Sequence, residues 1–232
     1  MVYNSKIQKD LAEKYKDNLG DHFGKVDYVD ETVAKSSKDV PQRVEVLLDI
    51  PKGKSILDIG CSTGELTLLM ADEKTEEVVG VDIVKDLIDR ANKLKDSTSV
   101  ERADKVSFFC EDFQDCGFEE GEFDTVMATE FFEHLPPQAI DEFMKKAITY
   151  LDNKGNMVIS VPNRYPAEKY VLEGRDRWDW PNHLTHFDFK KFKEFLMPYF
   201  SEIEFYNVYE DDCYASGIWL IADCKGVKKN AQ

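Results

Sequence analysis

A pair of glycines between two apolar segments is the first feature of the sequence that could take part in chemistry. Ser55–Ile59 has the length and composition of a short buried strand, and the leucines that follow Glu65 indicate a buried helix. Between these segments, Gly60 and Gly64 predict a turn where a ligand can touch bare backbone beside the first N–H groups of the helix. Asp58, inside the strand, would repel a pyrophosphate but could pair with an ammonium group. The glycine spacing also differs from the dinucleotide-binding motif G-x-G-x-x-G.

Two further strands are predicted to lead into acidic residues. Glu77–Asp82 predicts the second strand, where Asp82 could accept hydrogen bonds from both hydroxyls of a ribose or, alternatively, cap the next helix. Val106–Cys110 predicts the third strand and precedes Asp112 and Phe113. That acidic and aromatic pair could bind the amine of an adenine and cover its face, although Phe113 could equally belong to the core. The carboxyl ends of parallel strands meet at one edge of a sheet, so we expect these carboxylates to converge.

Histidines are the candidate general bases. His134 follows the predicted fourth strand, Phe123–Ala128, whereas His183 and His186 end a segment rich in tryptophan and arginine, residues 164–187. A base of this kind assists the transfer of a group to a hydroxyl. A hydrogen bond to backbone within a turn is the alternative role of His134.

A metal site is a second interpretation of the same region. Glu130, Glu133 and His134 are spaced so that they would share one face of a helical turn. With His183 or His186 they would offer the mixed oxygen and nitrogen ligands that hold a divalent metal.

Alternating strands and helices must position these residues. A helix that begins near Pro41, a helix over Gln138–Leu151 and a fifth strand over Asn156–Val161 complete the alternation. Such an order predicts a parallel sheet with right-handed crossovers. Ile203–Tyr209 and Ser216–Ala222 then predict an antiparallel hairpin at the C-terminal end.

Composition limits the class of protein. The chain has 232 residues, enough for one large domain, and a formal net charge of −16, which disfavours binding to nucleic acid phosphates. No apolar run reaches membrane-spanning length, the first residues are not an apolar leader, and five cysteines without framework spacing suggest a reducing compartment. We therefore expect a cytoplasmic protein without membrane insertion and without a nucleic acid partner.

The glycine turn, Asp58-Ile-Gly-Cys-Ser-Thr-Gly64, resembles the first motif of class I S-adenosylmethionine (SAM) dependent methyltransferases, an acidic residue followed by G-x-G-x-G, with Ser62 at the middle glycine. The resemblance covers residues 40–224. It implies an α/β fold with a doubly wound, mostly parallel seven-stranded sheet, a C-terminal antiparallel hairpin and three α/β/α layers. Residues 1–39 would form an N-terminal helical cap or lid segment, residues 162–187 a substrate lid, and residues 225–232 a basic tail.

The resemblance also implies SAM as the cofactor and S-adenosylhomocysteine as its product. The predicted cofactor-binding residues are Asp58, Gly60, Cys61, Ser62, Gly64, Asp82, Ile83, Asp112, Phe113, Thr129 and Glu130. The candidate catalytic residues are His134, His183 and His186. We include no metal, because the Glu-x-x-Glu-His spacing is also common among metal-free members of this group.

The function that we expect is SAM-dependent methyl transfer to an oxygen of a small molecule. One alternative is a metal-assisted RNA 2′-O-methyltransferase, because the small-RNA 3′-end methyltransferases are similar in carrying a Glu-x-x-Glu-His plus histidine set; the net charge argues against it. Another is a catalytically silent SAM-fold scaffold or binding module. The joint presence of Asp58, Asp82 and Asp112 argues against a silent module. The substrate and the oligomeric state stay open.

Overall fold

Seven strands form one sheet in the computed structural model of the chain, which describes residues 42–98, 101–163, 183–211, 216–229 and 231. The strands are β1 Ser55–Ile59, β2 Glu77–Asp82, β3 Val106–Cys110, β4 Phe123–Thr129, β5 Leu151–Pro162, β6 Phe200–Asp211 and β7 Ser216–Val227. The helices are α1 Gln42–Asp49, α2 Glu65–Leu69, α3 Lys85–Ser97, α4 Ile140–Tyr150 and α5 Phe189–Leu196, with 3-10 turns at Ala103–Lys105 and Phe132–His134.

The strand order is β3-β2-β1-β4-β5-β7-β6. Strand β2 is parallel to β3, and β4 is parallel to β5, whereas β7 is antiparallel to both β5 and β6. The predicted fold class is therefore confirmed: a mostly parallel seven-stranded sheet that ends in an antiparallel hairpin. Asp188 caps α5, because its side chain accepts a hydrogen bond from the Lys191 N–H at 2.8 Å.

The chain divides into two compact units, which we describe separately. Among the described residues, the first unit comprises residues from 57 to 117 and contains the glycine turn; we call it the glycine unit. The second comprises residues 42–56 and those from 118 onwards, and contains the histidines; we call it the histidine unit.

In the glycine unit, one aromatic ring packs where two glycines leave space. A Cβ atom on Gly80 would lie 2.7 Å from Phe108 Cδ1, and one on Gly64 would lie 2.5 Å from Phe108 Cζ. Gly80 on β2 pairs directly with Phe108 on β3. The buried residues Leu87, Ile88 and Ala91 of α3 contribute to the core of this unit. The glycines near the ligand turn thus also serve packing, since any side chain there would displace Phe108.

Strand β5 begins earlier than the sequence predicts. The expected start was Asn156, with a helix up to Leu151, but β5 runs from Leu151. Its pairing with β4 is irregular between Phe123↔Leu151 and Thr125↔Asn156. The intervening polar residues belong to this irregularity, which is why the period-two pattern of a strand is absent there.

A buried polar network connects strands β4, β5 and β7 of the histidine unit. Asn156 donates a hydrogen bond from Nδ2 to Asp223 Oδ1 at 2.6 Å, and its Oδ1 accepts one from the Thr125 hydroxyl at 2.8 Å. The other oxygen of Asp223 lies 2.8 Å from Lys225 Nζ. All three side chains at the centre of the network are buried, so each needs its partners.

The C-terminal end differs from the predicted basic tail over 225–232. Residues 225–227 belong to β7, and Lys228 donates hydrogen bonds from its backbone N–H to Tyr199 O and from Nζ to Met197 O. Ala231 is buried. The strand continues through Lys225 to Val227, because Lys225 pairs with Glu202 and Val227 pairs with Phe200 of β6.

Several predictions concern residues outside the described part of the chain. These are the N-terminal cap segment over residues 1–39 and most of the substrate lid, residues 164–182. Within the described ranges, every helix is too short or too polar to span a membrane.

Candidate active site

Three left-handed residues within five positions shape the glycine turn. Gly60, Ser62 and Gly64 have φ values of 75°, 52° and 83°. The N–H groups of Gly60 and Cys61 both donate to Val81 O, at 2.8 Å and 3.1 Å. Ser62 therefore adopts the left-handed backbone that glycine adopts without steric cost. The departure from G-x-G-x-G preserves the shape of the turn and places some strain at Ser62.

Asp58 is a buried carboxylate with one unsatisfied oxygen. Its Oδ2 accepts a hydrogen bond from the Thr67 hydroxyl at 2.6 Å, whereas Oδ1 has no hydrogen-bond partner among the described residues. Burial, and to a lesser degree the charge of Asp82, raises the pKa of Asp58 from 3.8 to about 6, although the Thr67 hydrogen bond opposes the shift. A buried acceptor without a donor is costly, so it suits a ligand that brings a positive donor.

Asp82 organises the turn and the next helix together. Its Oδ2 accepts the Ser62 N–H at 3.1 Å, and its Oδ1 accepts the Val84 N–H at 2.8 Å, one residue before α3. Asp82 does not cap α3 as the alternative predicted: the cap residue is Val84, which has no side-chain cap hydrogen bond, and Asp82 holds the N–H of that residue. Burial raises its pKa despite these hydrogen bonds. The Ile83 N–H also stabilises this charge, and of the roughly four lone-pair sites of a carboxylate at least one remains for a hydroxyl donor.

The remaining predicted cofactor residues of the glycine unit follow β2 and β3. Ile83 is half-buried, and Asp112 and Phe113 are both buried. Asp112 accepts the Gln114 N–H at 3.0 Å. Cys61 is buried, with its Sγ 2.9 Å from where a Cβ on Gly80 would lie, and burial raises the pKa of its thiol. The Cys61 side chain therefore fills space, and a thiolate nucleophile is disfavoured.

In the histidine unit, three side chains contact the carboxylate of Glu130. Its Oε1 accepts the Ser160 hydroxyl at 2.8 Å, and its Oε2 accepts the Trp219 Nε1–H at 2.9 Å. An Arg43 guanidinium nitrogen lies 3.7 Å from the same Oε2, and Arg43 also stacks over the Trp219 ring at 4.8 Å from its centroid. The backbone of Glu130 is left-handed, with φ 51°. Thr129, the preceding residue, is half-buried at the end of β4.

Backbone hydrogen bonds bring the two histidine segments together. Leu184 and Thr185 donate their N–H groups to Glu133 O at 2.8 Å and 3.0 Å, and the Thr185 hydroxyl donates to Leu135 O at 2.7 Å. The rings of His134 and His183 consequently pack edge to face, with centroids 5.0 Å apart. These hydrogen bonds join two segments that are about fifty positions apart in the sequence.

Burial and two neighbouring histidines keep the His183 imidazole neutral. Burial, together with the neighbouring His134 and His186, lowers the pKa of His183 from 6.5 to about 4. His186 is therefore close enough to act on His183 electrostatically. The structure thus brings the three candidate catalytic histidines into one region of the histidine unit.

Glu133 is the most deeply buried acid of this cluster. It is 1% exposed, and neither of its carboxyl oxygens has a hydrogen-bond partner among the described residues. Burial raises its pKa well above 4.5, and the negative charge of Glu130 adds to the shift. Its Oε1 lies 3.9 Å from His134 Nε2.

Glu133, His134 and His183 also have the geometry of a metal site. Each offers one ligand atom, and the three atoms lie within 4.8 Å of one another. The metal set considered from the sequence included Glu130 as well, but the Glu130 carboxylate is bound by Ser160 and Trp219 and does not belong to this group. The structure thus assembles three of the considered ligands.

Four residues around these sites carried no signal in the sequence. Thr67, which binds Asp58, is one of many residues of a predicted helix, and Arg43, Ser160 and Trp219 are distant from Glu130 along the chain. Polar residues within the apolar strands β5 and β7 are the one sign in the sequence that such partners exist. They do not show which residue each of them binds.

Comparison with known proteins identifies the family. A family model described as a methyltransferase domain matches residues 32–208, which is most of the chain. The 27-O-demethylrifamycin SV methyltransferase of Amycolatopsis mediterranei is 29% identical over 126 residues, covering 54% of this chain and 45% of that protein. The alignments with the first four curated relatives cover between 30% and 58% of those proteins.

Solved structures share the fold at low sequence identity. The magnesium protoporphyrin IX methyltransferase of Synechocystis, solved with S-adenosylhomocysteine, has a TM-score of 0.67 at 16% identity and covers 94% of this chain and 100% of that one. The small RNA methyltransferase HEN1 has a TM-score of 0.66 at 18% identity and covers 80% of this chain and 25% of that one. The family match, the seven-stranded fold and the glycine turn agree: the chain belongs to the methyltransferase domain family and has the class I methyltransferase fold.

Proposed function

We propose that this methyltransferase transfers the methyl group of SAM to an oxygen atom of a small molecule. The observation that carries the proposal is the edge-to-face pair of His134 and His183, which supplies a base for a hydroxyl acceptor. The relative from Amycolatopsis mediterranei is named for methylation at an oxygen, which agrees with this choice of acceptor atom.

The residues of the glycine unit fit SAM. The unpartnered Oδ1 of Asp58 would accept the ammonium group, and a remaining lone pair of Asp82 would accept a ribose hydroxyl. Asp112 and Phe113 would bind the adenine, and the backbone of Gly60, together with the adjacent turn, would allow close approach. Cys61, Ser62, Gly64 and Ile83 would line the turn, whereas Thr129 and Glu130, also predicted from the sequence to bind the cofactor, lie in the histidine unit. When bound, SAM would supply a methyl group carried by a positively charged sulfur. In an in-line displacement, that sulfur would leave as a neutral thioether.

The histidine unit would handle the proton. His134 would accept the proton of the acceptor hydroxyl, and Glu133 Oε1, 3.9 Å from His134 Nε2, would stabilise the imidazolium that results. His183 stays neutral above a pH of about 4, so it adds no opposing positive charge. His186 would shape the acceptor side. We place the reaction in the cytoplasm, because the four cysteines in the described ranges are thiols rather than disulfides.

Labelled methyl transfer tests the proposal. SAM with an isotope in its methyl group would be incubated with the protein and a crude extract, which is then separated into small-molecule, RNA and protein fractions. We expect label in the small molecules, loss of most of it with His134→Gln, and no effect of Lys190→Ala, an exposed control on α5. Label confined to RNA or protein would reject the proposal.

A second candidate function is metal-assisted 2′-O-methylation of RNA. The observation that favours it is the group formed by Glu133, His134 and His183, in which an orphaned carboxylate faces two imidazoles. The net charge of −16 opposes RNA binding. A chelator distinguishes the two candidates: loss of labelling from the RNA fraction after chelation, with return on adding a divalent metal, would establish the second function.

A silent SAM-binding scaffold is the third candidate. It predicts that the protein binds SAM in calorimetry but leaves every fraction of the extract unlabelled. The same experiment therefore separates all three.

A further inference from the structure

Glu130 is attached to three different elements of the histidine unit. Its carboxylate accepts hydrogen bonds from Ser160 on β5 and from Trp219 on β7, and Arg43 on α1 lies 3.7 Å from it. Its backbone N–H also donates to Ser160 O at 3.0 Å. Trp219 is 4% exposed, so its indole N–H requires an acceptor, which Glu130 provides.

The backbone of Glu130 is in a conformation that glutamate rarely adopts. With φ 51°, it turns the chain at the end of β4 into the 3-10 turn Phe132–His134. Residues persist in such conformations when the surrounding structure fixes them, and here the side chain is fixed by Ser160 and Trp219. Both oxygens are used in this way, and Glu130 does not belong to the group formed by Glu133, His134 and His183.

We propose that Glu130 is a positioning residue, which fixes the turn carrying His134 through its hydrogen bonds to Ser160 and Trp219. This deepens the proposed function and rests on it, because it takes His134 as the base. The side chain of Glu130, predicted from the sequence to bind the cofactor, is thereby assigned to the support of the histidines.

The test uses three variants and one matched control. Glu130→Gln removes the charge, Trp219→Phe removes the indole N–H, and Ser160→Ala removes the hydroxyl. The control is Asp124→Asn at the other end of β4, where Asp124 accepts hydrogen bonds from the N–H groups of Lys54 and Ser55 at 2.8 Å and 3.1 Å.

Two readouts are independent of any acceptor. Nuclear magnetic resonance measures the contact between the His134 and His183 rings, assigned with His134→Gln, and calorimetry measures the dissociation constant of SAM. We expect the three variants to lose or weaken the ring contact with SAM affinity unchanged, while Asp124→Asn keeps the contact. Methyl transfer into the small-molecule fraction should fall about 10- to 100-fold in the three variants, as expected for a displaced base.

Each other result overturns the proposal. Weaker SAM binding by Glu130→Gln with an intact ring contact would make Glu130 a cofactor contact. An intact ring contact in all three variants would mean that the turn keeps its position without the hydrogen bonds of Glu130. Loss of the contact in Asp124→Asn as well would mean a general weakening of β4. Because the ring contact is measured without methyl transfer, an inactive wild-type protein would reject the proposed function and leave this inference testable.

Discussion

The hydroxyl of Thr67 donates to Oδ2 of Asp58 at 2.6 Å and leaves Oδ1 of the same buried carboxylate without a partner among the described residues. One oxygen is therefore held in place by the protein, and the other is available to a ligand. Burial penalises the charge on this group and so raises the pKa of Asp58 to about 6, whereas a cationic ligand favours the ionised form. This opposition makes Asp58 the most informative residue to change.

SAM affinity should depend on pH through Asp58. Because its pKa is about 6, the carboxyl must lose a proton before it can pair with the ammonium group. The dissociation constant should rise about tenfold for each pH unit below 6 and level off above pH 7. Calorimetry between pH 5 and 7 would measure it. Asp58→Asn should give weaker binding without this slope; a wild-type profile that is flat from pH 5 to 7 would contradict the assignment.

The same substitution should stabilise the unliganded protein. The folded pKa of Asp58 is raised, so its contribution to stability is present below pH 4 and is lost as pH rises through about 6. At pH 7 the lost contribution is about 3 kcal/mol, the equivalent of a shift of about two pKa units. Asp58→Asn keeps the Thr67 hydrogen bond and carries no charge, so its free energy of unfolding in urea should exceed that of wild type at pH 7. Equal or lower stability would show that Asp58 is less penalised than its burial suggests.

Asp82→Ala should weaken SAM binding and loosen the glycine turn. Loss of a charge-assisted pair with the ribose should cost about 1.5–3 kcal/mol of binding free energy. Loss of the Ser62 and Val84 N–H acceptors should also lower the free energy of unfolding by about 1 kcal/mol. Asp86→Asn, which removes an exposed charge from the first turn of α3, is the matched control and should change neither. Unchanged SAM affinity in Asp82→Ala would mean that the ribose lies elsewhere.

Gly80→Ala should destabilise the glycine unit, and a smaller residue at position 108 should rescue it. The new methyl group would meet Phe108 Cδ1 at 2.7 Å and Cys61 Sγ at 2.9 Å, so we expect a loss of about 1–3 kcal/mol in urea unfolding. Phe108→Leu should restore part of this loss. It should restore a smaller part of the loss in Gly64→Ala, because position 64 also has φ 83°, and Phe108→Leu cannot relieve that backbone strain. Equal rescue of both variants would contradict the distinction.

Asn156→Ala should cost stability without changing SAM affinity. The substitution leaves Asp223 Oδ1 and the Thr125 hydroxyl without their buried partner, which should lower the free energy of unfolding by about 1–3 kcal/mol. Asn153→Ala, an exposed asparagine in the same strand, is the control and should have little effect. If both variants were equally stable, the network would be contributing nothing.

Local patterns predicted the fold well. Strands β1, β2 and β3 begin and end at the predicted residues, because each is a compact apolar run bounded by polar residues. The ends of these three strands are therefore readable from adjacent sequence. The start of β5 was not, since the polar residues before Asn156 occupy an irregular part of the pairing that has no sequence period.

The candidate site was predictable in its residues but not in its bonds. Asp58 and Asp82 could be named because strand ends and glycine spacing are local features. The partners of Glu130 could not, because Ser160 and Trp219 reach it only once β4, β5 and β7 have formed. Likewise, His134 and His183 were named separately, and the backbone bonds to Glu133 O that join their segments depend on tertiary structure.

The identity of the methylated atom tests the account most directly. Purified protein would be incubated with an extract and with SAM carrying carbon-13 in its methyl group, with and without a chelator, and the product carbon observed by nuclear magnetic resonance. The account predicts a methoxy signal in the small-molecule fraction that a chelator does not change and that His134→Gln removes. A signal from an N-methyl or S-methyl group, or a methoxy signal confined to RNA and abolished by the chelator, would contradict it.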